Sequence, residues 1–276
     1  MLFLRTSLVA LALASTSLLG CVYTEAIEAD ETAETESSSQ AIVPGLPIST
    51  DATYYVARRD TRRCAYPTCG GYFISAVNQS VTRCARGAYA RECYVSRLDF
   101  SVFDGPAEAS TIVPGAMGAS LATARVVLLG TVHPALLGLG ILRVQMAWIA
   151  LDREVITGDF YGTRNNGIVC VAAPCPSYDQ ELLNRGSVLP FHGFDFSAVP
   201  AHAKDSTFTS PSLNSAYGLI VSGENVIRED AGPAGPATVL EASQVFIPLN
   251  IAEERRLAIQ PGPIQPRPVE PIRNDL

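Results

Sequence analysis

Cysteine is the residue type whose number and spacing in this chain point most directly to chemistry. Apart from Cys21, the cysteines form three sets along the sequence: Cys64 and Cys69, Cys84 and Cys93, and Cys170 and Cys175. An even number of cysteines favours disulfides if the chain is exported, because thiols are oxidised outside the cytoplasm. The two Cys-x4-Cys segments could instead supply four thiolates to a zinc ion, although their spacing is at the upper limit for a zinc knuckle. A redox site is less favoured, since the Cys-x-x-Cys motif is absent.

An internal repetition reduces the number of possible disulfide pairings. Residues 54–78 align with 160–184 at a constant offset of 106, so that Cys64 meets Cys170 and Cys69 meets Cys175. The alignment resumes further on, where 98–101 meets 194–197 and 144–149 meets 242–247. The second segment contains only two cysteines, so the simplest scheme pairs each segment within itself. The expected disulfides are Cys64–Cys69, Cys84–Cys93 and Cys170–Cys175.

Charged residues also recur between the two segments. Arg58 aligns with Arg164, and Asp99 aligns with Asp195. An aspartate near a strand end commonly accepts backbone N–H groups in a turn, and we favour this role over acid–base chemistry or calcium binding. Arginine could pair with that aspartate or bind an anionic ligand. We expect the internal pairs, Arg58 with Asp99 and Arg164 with Asp195.

Histidine gives no comparable signal for catalysis or metal binding. None of His133, His192 and His202 recurs at the equivalent position of the other segment. The chain contains no paired-histidine metal motif, nucleophile elbow, phosphate loop or dinucleotide fingerprint. The sequence therefore assigns no catalytic residue, no metal ligand and no cofactor.

The two ends of the chain have compositions unlike its middle. Residues 1–20 contain a single arginine and a short apolar stretch, which predicts an export signal. Residues 21–50 are acidic and poor in large apolar residues, which predicts a disordered tether. Residues 251–276 are rich in proline, which predicts an extended tail.

Leu18-Leu19-Gly20-Cys21 resembles the lipobox of bacterial lipoproteins. The resemblance implies cleavage before Cys21, a diacylglycerol on its sulfur and a fatty acyl chain, such as palmitate, on its new amino group. Two or more chains give stable membrane anchoring. The alternative is an ordinary signal peptide cleaved near a cysteine. Val22 follows the cysteine, and this favours the outer membrane as the destination.

The formal net charge of −7 falls largely on the acidic segment at 21–50. The rest of the chain is close to neutral, so we expect no broad basic face and no nucleic-acid partner.

Runs of β-branched and aromatic residues predict a mainly β fold with minor helix (α+β). The expected strands of the first unit cover 53–57, 72–77, 93–100, 124–132 and 141–149, and those of the second cover 158–163, 178–183, 188–196, 217–227 and 238–247. Helices are expected within 107–123 and, less clearly, 201–215. The charge-free run 126–142 contains glycine and proline and is expected to form strand, turn and strand rather than a membrane span. We predict two related, disulfide-stapled β-rich units of about 100 residues, at 51–152 and 153–250, that arose by duplication.

The first unit has a further resemblance. Two cysteines four residues apart, followed by Gly70-Gly71 and an aromatic residue, then the Cys84 and Cys93 segment and Leu-Asp-Phe-Ser at 98–101, resemble a family of uncharacterised exported bacterial proteins common in myxobacteria, DUF6748. The second unit has Pro176-Ser177 in place of the two glycines and lacks the second cysteine pair. The resemblance implies no established activity.

These patterns together predict a membrane-anchored lipoprotein of the cell envelope, on the periplasmic face or the cell surface. We expect a non-catalytic binding or structural role, with the membrane and an envelope protein or glycan as partners. The alternative is a secreted hydrolase or metal-dependent enzyme, which would require a concave pocket with converging polar groups.

Overall fold

The chain folds mainly into β-strands, formed by the runs of β-branched and aromatic residues. The computed structural model describes residues 52–152 and 155–254. The predicted leader, Cys21, the acidic segment and the tail beyond residue 254 lie outside the described residues.

Five strands of the first half close into a ring. The strands of this half are β1 (Thr53–Arg59), β2 (Tyr72–Ala76), β3 (Thr82–Arg83), β4 (Tyr89–Ala90), β5 (Cys93–Asp99), β6 (Val126–Pro134) and β7 (Gly140–Ala150). β1 pairs with β2 and β6, β5 pairs with β2 and with β7, and β6 pairs with β7. The ring is therefore a small barrel, while β3 and β4 form a separate hairpin.

The second half has the same order of pairing. Its strands are β8 (Asp159–Asn165), β9 (Tyr178–Leu182), β10 (Val188–Phe191), β11 (Gly193–Asp195), β12 (Leu219–Arg228) and β13 (Ala237–Pro248). β8 pairs with β9 and β12, β9 pairs with β10, and β13 pairs with β11 and β12. β10 and β11 together occupy the place that β5 has in the first half.

His192 lies between β10 and β11 and forms hydrogen bonds with the neighbouring strand β13. Its backbone N–H donates to the Thr238 carbonyl at 2.9 Å, and its Nδ1 accepts the Thr238 backbone N–H at 3.0 Å. The histidine thus satisfies the backbone of β13 at the break.

The ten expected strands agree with the structure to within two residues at each end, apart from the division of 188–196 at His192. The short strands β3 and β4 were not among them. Helix α1 (Ala109–Ala116) lies inside the expected 107–123, and α2 (Ser206–Leu213) lies inside 201–215. Each helix contains a proline and contributes buried side chains to the core of its own half. A third helix, α3 (Leu249–Glu254), follows β13 and was not expected. The charge-free run forms β6, a turn and the start of β7, as expected.

The two halves meet along a shared seam. β7 and β13 pair antiparallel with Ile149 opposite Ile247, Trp148 opposite Pro248 and Ala150 opposite Phe246. Residues from both halves form one buried apolar cluster along the seam, which includes Val77, Trp148, Phe160, Leu183 and Phe246. Each half also has a separate core inside its ring.

Two asparagines exchange hydrogen bonds across this seam. The Asn78 side-chain amide donates to the carbonyls of Phe160 at 2.8 Å and Leu183 at 3.0 Å, and its oxygen accepts the Phe160 N–H at 2.8 Å. The Asn184 amide donates to the carbonyls of Tyr54 and Val77, both at 2.9 Å, and its oxygen accepts the Tyr54 N–H at 2.9 Å. Each asparagine therefore satisfies backbone groups of the opposite half.

Two further polar contacts cross between the halves. The Tyr217 hydroxyl donates to the Asp104 carboxylate, and the Trp148 indole N–H donates to the Gly218 carbonyl at 3.3 Å. Burial, assisted by the neighbouring Asp104, raises the pKa of Tyr217 to about 12. The tyrosine therefore stays protonated and able to donate over the physiological range.

The asparagine exchange predicts a measurable loss of stability in Asn78→Gly. Glycine accepts the left-handed backbone at residue 78, where φ is 56°, so the substitution removes the side-chain hydrogen bonds without adding strain. Phe160 and Leu183 would lose their partners, so we expect the free energy of unfolding to fall by about 1–3 kcal/mol in urea denaturation.

Gln79→Ala is the matched control, because Gln79 is exposed and makes one long hydrogen bond, at 3.4 Å. We expect it to change stability by less than about 0.5 kcal/mol. Equal losses in the two variants would contradict a special role for the asparagine.

Candidate functional site

The charged residues that recur between the halves do not pair as expected. Arg58 binds Glu92 at 2.6 Å, whereas Asp99 lies 3.6 Å from Arg143. The reason is the strand register. Arg58 on β1 stands opposite Phe73 on β2, while Asp99 ends β5 opposite Arg143 on β7. The predicted Arg58–Asp99 pair is therefore wrong.

The second predicted pair, Arg164–Asp195, is wrong for the same reason. Arg164 on β8 stands opposite Asp179 on β9 and lies 3.9 Å from its carboxylate. Asp195 ends β11 and binds Arg228 of β12 at 2.6 Å. Arg228 also binds Glu241, at 3.1 Å. Sequence reasoning missed these partners because recurrence marks equivalent positions and not contacts.

Asp99 and Asp195 nevertheless have the same local role, which is to close a turn after a strand. Asp99 accepts the Ser101 backbone N–H at 3.0 Å, and Asp195 accepts the Ser197 backbone N–H at 2.9 Å. These bonds lower the pKa of each aspartate, and Arg143 or Arg228 lowers it further. The turn role expected for these aspartates is the one that their geometry shows.

The six described cysteines form three pairs at disulfide distance, as expected from the repetition. The Cα–Cα separations are 5.4 Å for Cys64–Cys69, 5.3 Å for Cys84–Cys93 and 5.5 Å for Cys170–Cys175. Cys64–Cys69 and Cys170–Cys175 close equivalent loops, one before β2 and one before β9. Cys84–Cys93 closes the β3–β4 hairpin, which has no counterpart in the second half.

An arginine–aromatic cluster lies beside the first disulfide loop. The Arg58 guanidinium stands 4.2 Å from the centre of the Phe73 ring, and Arg62 stands 5.0 Å from Phe73 and 5.2 Å from Tyr94. Arg62 also forms an ion pair with Asp60 at 3.0 Å. Cation–π contacts of this kind orient the guanidinium groups above the sheet.

The structure accounts for the second glycine of the Gly70-Gly71 motif. A Cβ atom at residue 71 would lie 2.2 Å from the Val95 carbonyl oxygen and 2.8 Å from the Tyr94 hydroxyl. Its backbone N–H donates to that hydroxyl, which itself donates to the Pro67 carbonyl at 2.7 Å. The glycine allows Tyr94 to join the disulfide loop to β5, so its role is structural.

Comparison with known proteins places this arrangement in a family. A family model described as a domain of unknown function, DUF6748, matches residues 53–252. The chain belongs to the DUF6748 family. No curated protein and no solved structure matches it.

The stapled hairpin is an exposed cationic part of the DUF6748 domain. Arg83, Arg86 and Arg91 are exposed, as is Tyr89. Within residues 52–152 and 155–251, none of the three arginines forms an ion pair. Thr82 is buried and accepts the Ala76 backbone N–H at 2.8 Å, so the hairpin is fixed to the barrel at its base.

Charge is divided unevenly between the halves of the domain. Residues 52–152 contain ten arginines and six carboxylates, whereas residues 155–251 contain four basic and nine acidic side chains. The sequence analysis considered only the near-neutral total charge and therefore did not predict this division. The number of arginines between residues 58 and 97 could have shown it. The excess of basic side chains therefore belongs to the first half.

The histidines do not converge. The ring of His133 lies 2.8 Å from the Thr131 hydroxyl, His192 bridges the strand break, and His202 is exposed in the turn before α2. Among the described residues, no group of three acidic, histidine or cysteine side chains could hold a metal ion. None of the described helices has the length and apolarity needed to cross a membrane.

We predict that the turn hydrogen bonds from Ser101 are the main cause of a low pKa at Asp99. In NMR titrations, we expect the carboxyls of Asp99 and Asp195 to titrate below the usual range of an aspartate. Each then contributes stability above that range, and this contribution is lost as the pH falls through the folded pKa. Asp99→Asn should therefore lower the stability more at pH 7 than at pH 3.

Arg143→Gln separates the turn from the ion pair. Because the hydrogen bonds from Ser101 lower the pKa more than Arg143 does, this variant should keep most of the depression. A return of the Asp99 pKa to its usual value in Arg143→Gln would show that the ion pair is the main cause.

Proposed function

We propose that this DUF6748 protein is an exported, lipid-anchored and non-catalytic binding protein of the bacterial envelope. Its ligand is an anionic envelope component, which it binds through the basic face of the first half. We define this basic face as the stapled hairpin with Arg83, Arg86, Tyr89 and Arg91.

The observation that carries the proposal is the uneven distribution of charge. Arg58 and Arg62 are neutralised by Glu92 and Asp60, but the hairpin arginines project into solvent without acidic partners among the described residues. Exposed guanidinium groups bind carboxylates and phosphates through paired N–H donors. The second half has the same strand order and an excess of acidic side chains, so the basic face is not a requirement of the fold.

Export is supported by the three disulfides, which form and persist in oxidising compartments. Anchoring is supported by the lipobox-like sequence ending at Cys21. With Val22 after the cysteine, we place the protein in the outer membrane, with its folded part on the periplasmic face or the cell surface.

We further propose that the two halves arose by duplication of one β-rich unit. Support comes from the matching strand order, the recurrent cysteine pair and the exchange of equivalent hydrogen bonds by Asn78 and Asn184. The pairing of Ile149 with its sequence equivalent, Ile247, supports a two-fold arrangement of the units. Only the first unit, which carries the additional hairpin, would then bind the ligand.

Lipid anchoring predicts that Cys21→Ser abolishes acylation of the protein. The wild-type chain should incorporate labelled palmitate and sediment with membranes, because two or more acyl chains anchor stably. The variant should incorporate no label, because the thiol that accepts the diacylglycerol is absent. Unchanged labelling of Cys21→Ser would overturn the anchor.

The basic face predicts retention on a cation exchanger despite a net charge of −7. We expect the protein, purified in a Cys21→Ser background, to bind phosphocellulose at pH 7 and low salt. The triple variant Arg83→Gln, Arg86→Gln, Arg91→Gln should elute at clearly lower salt, because a local cluster of charge dominates contact with a surface.

Replacement of the same three arginines by lysine is the matched control. It keeps the charge and should retain most of the binding, with a modest loss from the missing paired donors. If the glutamine variant elutes with the wild type, the hairpin is not the binding surface.

A further inference from the structure

An exposed apolar turn lies at one end of the first barrel. Leu136 and Leu137, in the turn between β6 and β7, are 87% and 77% exposed. Two adjacent exposed leucines leave apolar surface in water, and contact with an apolar phase would bury it favourably. The turn is ordered by hydrogen bonds from the Ala135 N–H to the Leu139 carbonyl at 2.7 Å and from the Leu139 N–H to the Leu136 carbonyl at 3.3 Å.

Leu137 also has an unfavourable backbone conformation. Its φ is 62°, in the left-handed region that large side chains rarely adopt. Residues in such conformations are retained where the surrounding structure fixes them, frequently at sites of binding. Leu137 and Gly138 both have positive φ, as in tight hairpin turns, and both leucine side chains are exposed.

The leucine turn touches the basic face. A Cβ atom at Gly138 would lie 3.3 Å from the Arg86 Nη1 atom, so the guanidinium group packs against the turn. Tyr89, 67% exposed, belongs to the same hairpin as Arg86. Arg86 therefore joins the leucine turn to the hairpin that carries Tyr89, Arg83 and Arg91.

The equivalent turn of the second half differs in charge and in apolar content. It runs from Glu229 to Pro236 between β12 and β13, contains Glu229 and Asp230, and has no large apolar side chain. The Ala234 N–H donates to the Ala173 carbonyl at 2.9 Å, which holds this turn against the second disulfide loop. An exposed apolar turn is therefore not required to close a barrel of this kind.

We propose that the leucine turn and the basic face together form a membrane-docking surface. Leu136 and Leu137 enter the boundary between headgroups and acyl chains, Tyr89 lies at the interface, and Arg83, Arg86 and Arg91 bind lipid phosphates. Apolar side chains provide insertion, and basic residues provide attraction to anionic lipid, so the two contributions add. The inference rests on the proposed function, since it names a phosphate-bearing lipid surface as the anionic partner.

Charge complementarity favours a lipid surface over a soluble anion. A soluble anion needs the arginines alone, whereas the adjacent leucines need an apolar phase. The acyl anchor proposed at Cys21 would hold the folded part close to such a surface and raise its local concentration there. Docking would then fix the orientation of the first half relative to the membrane.

The test measures binding to vesicles in a Cys21→Ser background purified without the predicted leader, so that neither an acyl chain nor the leader contributes. Vesicles of phosphatidylcholine are compared with vesicles that also contain phosphatidylglycerol, by co-sedimentation at low salt. We expect binding only to the anionic vesicles. Leu136→Ser with Leu137→Ser should weaken it roughly tenfold or more, because two apolar side chains no longer insert.

The matched control is Val169→Ser with Val171→Ser, which replaces two valines that are 92% and 109% exposed in the second half. This control should bind the vesicles as the wild type does. All four positions are exposed, so the variants should unfold at the wild-type temperature.

A fluorescence measurement gives an independent readout. The chain contains one tryptophan, Trp148, which is buried and insensitive to the surface. In Leu136→Trp, a blue shift of the emission on addition of anionic vesicles would show insertion of the turn. An unchanged spectrum would overturn the proposal, as would equal vesicle binding by the double-leucine variant and the wild type.

The results separate this inference from the proposed function. Retention on phosphocellulose without vesicle binding would overturn membrane docking and leave an anionic ligand as the function. Loss of both would overturn both. Self-association that depends on the two leucines, with no vesicle binding, would assign the surface to a second copy of the chain and overturn docking.

Discussion

The seam between the halves depends on the satisfaction of backbone polar groups at the edges of two barrels. Where the strands of one half approach those of the other, N–H and C=O groups would be buried without partners and would destabilise the fold. Asn78 and Asn184 supply both a donor and an acceptor at the same point, each to the opposite half. The buried cluster around Trp148 and Phe246 can form because these groups are satisfied.

Most strands could be predicted from the sequence, because strand propensity is a local feature. The recurrence also allowed each strand to be compared with its equivalent in the other half. The disulfides were readable because the second half contains only one pair of cysteines. The partners of Arg58 and Asp99 were not readable, since they depend on which strands become neighbours in the ring and at which register. Asn78 and Asn184 were visible as recurrent residues, but nothing local in the sequence indicated that they face each other's strands.

The candidate site was only partly readable for a different reason. The hairpin between Cys84 and Cys93 was recognisable as a segment missing from the second half. Its arginines were masked by a near-neutral total charge, and the leucine turn lay within an apolar run that sequence reasoning assigned to strands and a turn. The contact between Arg86 and Gly138 joins segments more than fifty residues apart, so only the folded chain brings them together. What distinguishes the two halves lies in the hairpin and the turns, while the strands are common to both.

Each described disulfide closes a loop within one half, at sequence separations of 5, 9 and 5 residues. No covalent bridge between described cysteines crosses the seam, so beyond the chain itself only non-covalent contacts unite the halves. Apart from the peptide that connects them, the two halves therefore resemble two chains that associate non-covalently. Two separately made fragments would contain, between them, every strand, disulfide and asparagine needed for reassembly by complementation.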